Sequence, residues 1–153
     1  MGNTYTQIHL QLIFAVQFRA FVIQPDWEIE LHKYITSIIS ENTHKPIIIN
    51  GMEDHIHICL GMRPVQSLSE LMKEIKANSS EWINRNKYQK GKFRWQEGFA
   101  AFSYSKRDVS SVIEYIKNQK EHHKTTRFSE EYRKFLDEND IVFDERYLLT
   151  DPV

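Results

Sequence analysis

Asp54-His55-Ile56-His57-Ile58-Cys59-Leu60 is the stretch on which the fold turns. Side chains alternate across an extended chain, so His55, His57 and Cys59 share one face and Ile56, Ile58 and Leu60 the other. The apolar set asks for a helical layer to pack against, which leaves the two imidazoles on the second, polar face. Two imidazoles one strand repeat apart can share a divalent metal. Two surface histidines on an edge strand would give the same pattern.

The neighbouring segments supply the rest of a sheet. Residues 4–18 alternate, with Ile8, Leu10, Leu12, Phe14, Val16 and Phe18 on one parity and Gln7, His9, Gln11 and Gln17 on the other. Ile47-Ile48-Ile49 reads as a strand before the His segment, and Asn50-Gly51 predicts the hairpin turn between them. Phe99 to Tyr104 reads as a further strand.

Helices fill the gaps. Asp26 is the expected N-cap of a helix with the stripe Trp27, Leu31, Tyr34, Ile35 and Ile38. Ser67 and Glu70 form a capping box for a helix running to about Lys87. Its stripe includes Leu71, Ile75, Trp82 and Ile83. Asp108 caps a helix built on Val109, Val112, Ile113 and Ile116. A short helix is expected around Glu130 to Leu136. The order predicts one α+β domain: a mainly antiparallel sheet with helices on one face, ferredoxin-like or RRM-like.

Composition sets limits. A chain of 153 residues with 41% hydrophobic residues suits one folded domain. No apolar run approaches the roughly 20 residues that span a bilayer, and no signal peptide is visible. The single cysteine excludes an internal disulfide and fits a cytoplasmic location. Net charge is −1, yet residues 63–127 carry 14 Lys or Arg against 7 Asp or Glu. That basic middle fits a phosphate-facing surface, and solvated helices account for it as well.

A second constellation lies at Tyr115-Ile116-Lys117-Asn118-Gln119. Positions i and i+4 stack on one helix face. A glutamine oxygen can complete a metal's coordination, and a tyrosine oxygen can act as a covalent nucleophile.

Read together, these segments resemble the single-tyrosine, HUH-type transposases of small bacterial insertion sequences, the IS200-like class. The pattern runs through Asn50-Gly51-Met52, His55-Ile56-His57 and Ile75-Lys76-Ala77-Asn78-Ser79-Ser80. It continues in Trp82-Ile83-Asn84, Trp95-Gln96-Glu97-Gly98-Phe99 and Phe102-Ser103-Tyr104-Ser105. It closes with Tyr115-Ile116, Asn118-Gln119 and His122-His123. Gln17, where a basic residue is expected, and Glu53, where Pro is common, depart from it.

The resemblance implies a homodimer that cuts and rejoins hairpin-bearing single-stranded DNA through a 5′-phosphotyrosine, with no nucleotide cofactor. Tyr115 would be the nucleophile, and His55, His57 and Gln119 would hold Mg²⁺ or Mn²⁺. The catalytic domain would cover 1–127, with an acidic tail over 128–153. His9, on the polar parity of the first strand, is a candidate neighbour of the His pair. Lys73, Lys76, Arg85, Lys87, Lys90, Lys92, Arg94, Lys106 and Arg107 are candidate phosphate contacts, and Trp95 and Phe99 candidate base stackers. His122 and His123 fall outside the expected ligand set, since a helix end explains them.

Three other readings stand beside this one. A histidine-triad nucleotide hydrolase needs a third His where Cys59 stands. A hairpin-binding protein with a vestigial site keeps the fold without the reaction, and a palindrome-processing enzyme shares the chemistry with another substrate.

Overall fold

In the computed structural model, which describes residues 2–144, the first strand is shorter than its alternation suggests. β1 spans His9–Ala15. The chain then leaves the sheet through a single helical turn, Gln17–Arg19, with Phe18 and Arg19 both in the left-handed region (φ 60° and 56°). Helix α1, Pro25–Glu41, starts one residue before the expected cap. Gln24 is its N-cap, and Pro25 takes the first position, where its missing N–H has no helical partner to lose.

β2 (Lys45–Met52) and β3 (His55–Gly61) form the central hairpin. Met52 pairs with His55, so Glu53-Asp54 makes the turn and Asn50-Gly51 lies inside β2. Asn and Gly stand there for other reasons. Asn50 Nδ2 donates to the carbonyls of Ile116 and Lys117. A Cβ on Gly51 would fall 2.1 Å from the His55 carbonyl oxygen, so only glycine fits this pairing.

Helix α2, Leu68–Asn86, begins at Ser67, whose Oγ accepts from the Glu70 N–H at 3.1 Å, and ends at Lys87 in the left-handed conformation. β4 is Ala100–Tyr104. Helix α3, Val109–Lys117, is preceded by a tight turn in which Asp108 accepts from Ser105 Oγ and makes no side-chain cap. The tyrosine helix breaks at Asn118 and resumes as a single turn, α4, Gln119–His122. Helix α5 is Phe128–Glu138, longer at both ends than its sequence pattern suggests.

The antiparallel sheet has the order β2-β3-β1-β4, the ferredoxin-like arrangement for this sequence of elements. On one face Leu12, Phe14, Ile56, Ile58 and Leu60 pack against Leu31, Ile35, Leu71 and Ile75 of α1 and α2. Each such side chain contributes roughly 1.5–3 kcal/mol by leaving water.

The second face is covered too, where the sequence suggested a polar surface. Val112 and Ile116 of α3 pack on Cys59, and Phe128 and Leu136 of α5 pack on Ile13, Ala15, Ala100 and Phe102. His55 and His57, on that same face, are therefore wholly buried. Trp95 is also interior. It packs edge-on against Phe14 and Phe93, and its indole N–H donates to Ser79 Oγ at 2.9 Å, so it offers no face for base stacking. Among the described residues no helix is long and apolar enough to cross a membrane.

Candidate active site

Strand β3 carries His55 and His57 under α3, α4 and α5, and each of those elements delivers one polar side chain. The turn after α4 adds His123. One nitrogen each from His55, His57 and His123 and one oxygen from Glu131 all lie within 4.8 Å of one another. Gln119 Oε1 joins them, 3.0 Å from His55 Nε2 and 3.1 Å from His123 Nε2. Tyr115 borders the group. Its hydroxyl donates to Glu131 Oε2 and lies 3.3 Å from His122 Nε2.

The outer contacts decide which way the rings present themselves. His55 Nδ1 donates to the Asp54 carboxylate at 2.7 Å, and His123 Nδ1 donates to the Thr126 carbonyl at 2.7 Å. Both Nδ1 protons are thus committed, so in its neutral form each ring turns an Nε2 lone pair inward; burial pushes the His123 pKa down, but Glu131 and the Thr126 carbonyl raise it above its ordinary value. Those lone pairs face Gln119 Oε1, and that of His123 also lies 3.1 Å from Glu131 Oε1. With both rings neutral, acceptor faces acceptor, an arrangement that a cation at the centre reconciles. Three imidazole nitrogens, an amide oxygen and a carboxylate oxygen suit a divalent ion.

His57 is held differently. Gln11 Nε2 donates to its Nδ1 at 3.0 Å, which leaves Nε2–H to donate to Glu131 Oε1 at 3.1 Å. Gln11 Oε1 accepts from the Tyr104 hydroxyl. Turning the Gln11 amide over reverses the roles and frees the His57 Nε2 lone pair for a metal. Burial holds the His57 pKa down to about 4 despite the adjacent Glu131, so the ring is neutral near pH 7.

Charge around the site follows from these contacts. Burial pushes the Glu131 carboxyl up, but hydrogen bonds from His123 and His57 and the nearby rings hold it well below the usual carboxylate range. Burial, and then the Glu131 carboxylate, push the Tyr115 phenol well above its ordinary value, so Tyr115 keeps its proton here.

A clasp holds the tyrosine segment on its own sheet. Asn50 binds the last carbonyls of α3, and Lys120 of α4 donates to Glu28 Oε2 at 2.7 Å and to the Gly51 carbonyl at 2.6 Å. The break at Asn118 keeps Gln119 beside Tyr115, since both donate to Glu131 Oε2.

Other expected residues fall elsewhere. Gln11 is the β1 side chain that touches His57, while His9 lies further along the strand, opposite Gly61 and Tyr104. Lys76 donates to the carbonyls of Gln96 and Gly98, and burial lowers its ammonium pKa to about 8. Lys73, Arg85, Lys87, Lys90, Lys92, Arg94, Lys106 and Arg107 are exposed. Lys73 and Arg85 belong to α2, on the sheet face away from the histidines, and Lys106 and Arg107 precede α3 on the histidine side.

His123 and Glu131 are the site residues that sequence reasoning missed. His122-His123 was a visible signal with a competing helix-end explanation. Glu131 sits in an acidic helix, and nothing in its spacing distinguishes it from Glu130.

The chain matches the family described as "Transposase IS200 like" over residues 4–119, and it belongs to that family. None of the curated proteins matches it. Two solved structures share its fold. One is a transposase candidate from Deinococcus radiodurans R1, 22% identical, covering 78% of this chain and 96% of that one at a TM-score of 0.61. The other is a REP-associated tyrosine transposase bound to a REP hairpin. It is 13% identical and covers 80% of this chain and 73% of that one, also at a TM-score of 0.61.

Proposed function

We propose that this transposase-family protein cleaves and rejoins single-stranded DNA at hairpin-marked ends, with Tyr115 as nucleophile and a 5′-phosphotyrosine as the intermediate. The observation that carries this reading is the buried cluster of His55, His57, His123, Gln119 and Glu131 gathered beside the Tyr115 hydroxyl. A cation held by such a cluster next to a nucleophile would suit phosphoryl transfer, in which charge develops on phosphate oxygens.

His55, His57 and Gln119 would hold Mg²⁺ or Mn²⁺, with His123 and Glu131 as further donors of the same cluster. Such an ion would polarise the scissile phosphate and offset its developing charge. Nitrogen donors favour Mn²⁺ on chemistry. Asp54 and Gln11 set the rings, and the Asn50 and Lys120 clasp sets the tyrosine segment.

In the reaction the Tyr115 oxygen bonds to phosphorus as its proton passes to water, and the phosphorus–O3′ bond breaks. The leaving 3′ oxygen gains a proton from water. The new phosphoester conserves the energy of the old one, so a 3′-OH can reverse the step without a nucleotide cofactor. The homodimer and the cytoplasmic location belong to this proposal, as does the division at residue 127, across which Glu131 of the tail reaches back into the cluster; that tail lies partly outside the described residues.

Incubation with Mn²⁺ and hairpin DNA labelled on either side of the cut tests it. Label 3′ of the cut should migrate with protein on a denaturing gel, and label 5′ of it should leave as a free strand ending in 3′-OH. Binding without any adduct, across several metals, would favour a hairpin-binding protein that does no chemistry.

A further inference from the structure

We propose that helix α5 is a displaceable lid over this centre, with the Glu131 carboxylate holding the place of a substrate phosphate oxygen. That a DNA phosphodiester is what displaces it rests on the function proposed above.

The Glu131 carboxylate occupies the point between the ring nitrogens, Gln119 and the tyrosine where a scissile phosphate oxygen would lie. Its Oε1 lies 3.1 Å from both His57 Nε2 and His123 Nε2, and its Oε2 accepts from Gln119 Nε2 at 3.0 Å and from the Tyr115 hydroxyl. It is 2% exposed, and His55, His57 and Gln119 are fully buried. With Glu131 in place the cluster offers five donors around one point and no route for a phosphodiester. A catalytic metal keeps a position open for substrate. Withdrawing α5 removes one anionic oxygen and leaves His55, His57, His123 and Gln119.

The approach to Tyr115 points the same way. The tyrosine opens on a cleft of about 620 Å³ whose wall carries Asp108, Glu130, Glu131 and Glu138 against Lys134. Three of those carboxylates come from α5. DNA meets a wall of its own sign while α5 is down, and that wall leaves with the helix.

The lid's attachment is local. Phe128 and Leu136 dock on Ile13, Ala15, Ala100 and Phe102, apart from the main core between the sheet and the α1–α2 layer. Phe128 also stacks flat on His55 at 3.9 Å, which couples the lid to the metal-facing ring. A helix that docks by an apolar stripe outside the main core and reaches the centre through Glu131 can open without melting the sheet.

Amide hydrogen exchange tests the proposal in two arms. In wild type without DNA, at low denaturant, the Phe128–Glu138 amides should exchange by an opening that leaves β1 and β3 protected. Exchange of α5 only in step with β1 and β3 would overturn the lid. In Tyr115→Phe with Mn²⁺ and hairpin DNA, exchange across Phe128–Glu138 should rise several-fold while α1 and α2 stay unchanged. Unchanged or slower exchange of α5 with DNA bound would overturn it equally. Failure of the functional reading would show separately, as hairpin DNA left unbound by wild type, and the first arm would still decide whether α5 opens.

Discussion

Asp54 grips His55 from behind: the ring's Nδ1 donates to the carboxylate at 2.7 Å, and Nε2 is thereby turned into the centre. Asp54 also forms a buried pair with Arg19 at 3.1 Å. Burial pushes the Asp54 carboxyl up, but His55 and Arg19 hold it below its ordinary value, so it stays ionised. Asp54→Asn removes that charge from both partners. We expect a loss of about 3 kcal/mol in urea unfolding and a roughly 10- to 100-fold weaker Mn²⁺ affinity by titration calorimetry. Unchanged Mn²⁺ affinity would show that the His55 tautomer does not depend on Asp54.

Metal should stabilise the fold, because the ligands come from β3, α4, the following turn and α5. At a hundredfold excess over its dissociation constant, Mn²⁺ adds about 2.7 kcal/mol. For a domain of this size that raises the melting temperature by roughly 5–10 °C. His57→Ala and His123→Ala should each remove most of the shift. An equal shift in both variants would place the ion elsewhere.

Acid should weaken the protein before its carboxylates titrate. Burial, and then Lys120, lower the His32 pKa from 6.5 to about 4, and His57 is lowered to about 4 by burial. The unfolded chain takes up these protons below pH 6.5, whereas the folded one resists until about pH 4. Their contribution is therefore whole above pH 6.5 and is lost as pH falls toward 4. Each shift corresponds to about 3 kcal/mol at most. Urea midpoints at pH 7 and pH 4.5 check this, and His32→Leu should flatten the dependence. An identical slope in His32→Leu would remove His32 from the account.

The sheet, α1, α2 and the His55–His57 face were legible because hydrophobic period and strand alternation are local signals. Asn50-Gly51 misled because the dipeptide favoured in tight turns is also what a close strand pairing and a side-chain clasp require. The buried second face escaped notice because α5 reads as a charged helix: of its residues only Phe128 and Leu136 reach full apolar burial. Glu131 and His123 were hidden for the same reason. Their role comes from contacts with residues 68 to 76 positions earlier in the chain, which no local pattern encodes.

The clasp predicts that each chain supplies its own tyrosine. Asn50 and Lys120 tie the Tyr115 segment to β2 and α1 of the same chain. A mixture of Tyr115→Phe and His57→Ala proteins should form no adduct above the sum of the two alone. Restored activity on mixing would mean that the tyrosine helix crosses to a partner. Asn50→Ala should slow adduct formation, by roughly tenfold for about 1.4 kcal/mol of lost positioning.

The most direct measurement is to map the covalent bond. Wild-type protein reacted with hairpin DNA and Mn²⁺, trimmed with nuclease, digested and read by mass spectrometry should carry a nucleotide on the peptide containing Tyr115. That mass should vanish in Tyr115→Phe. A nucleotide on another side chain, or an unmodified Tyr115 peptide beside cleaved DNA, would contradict the account.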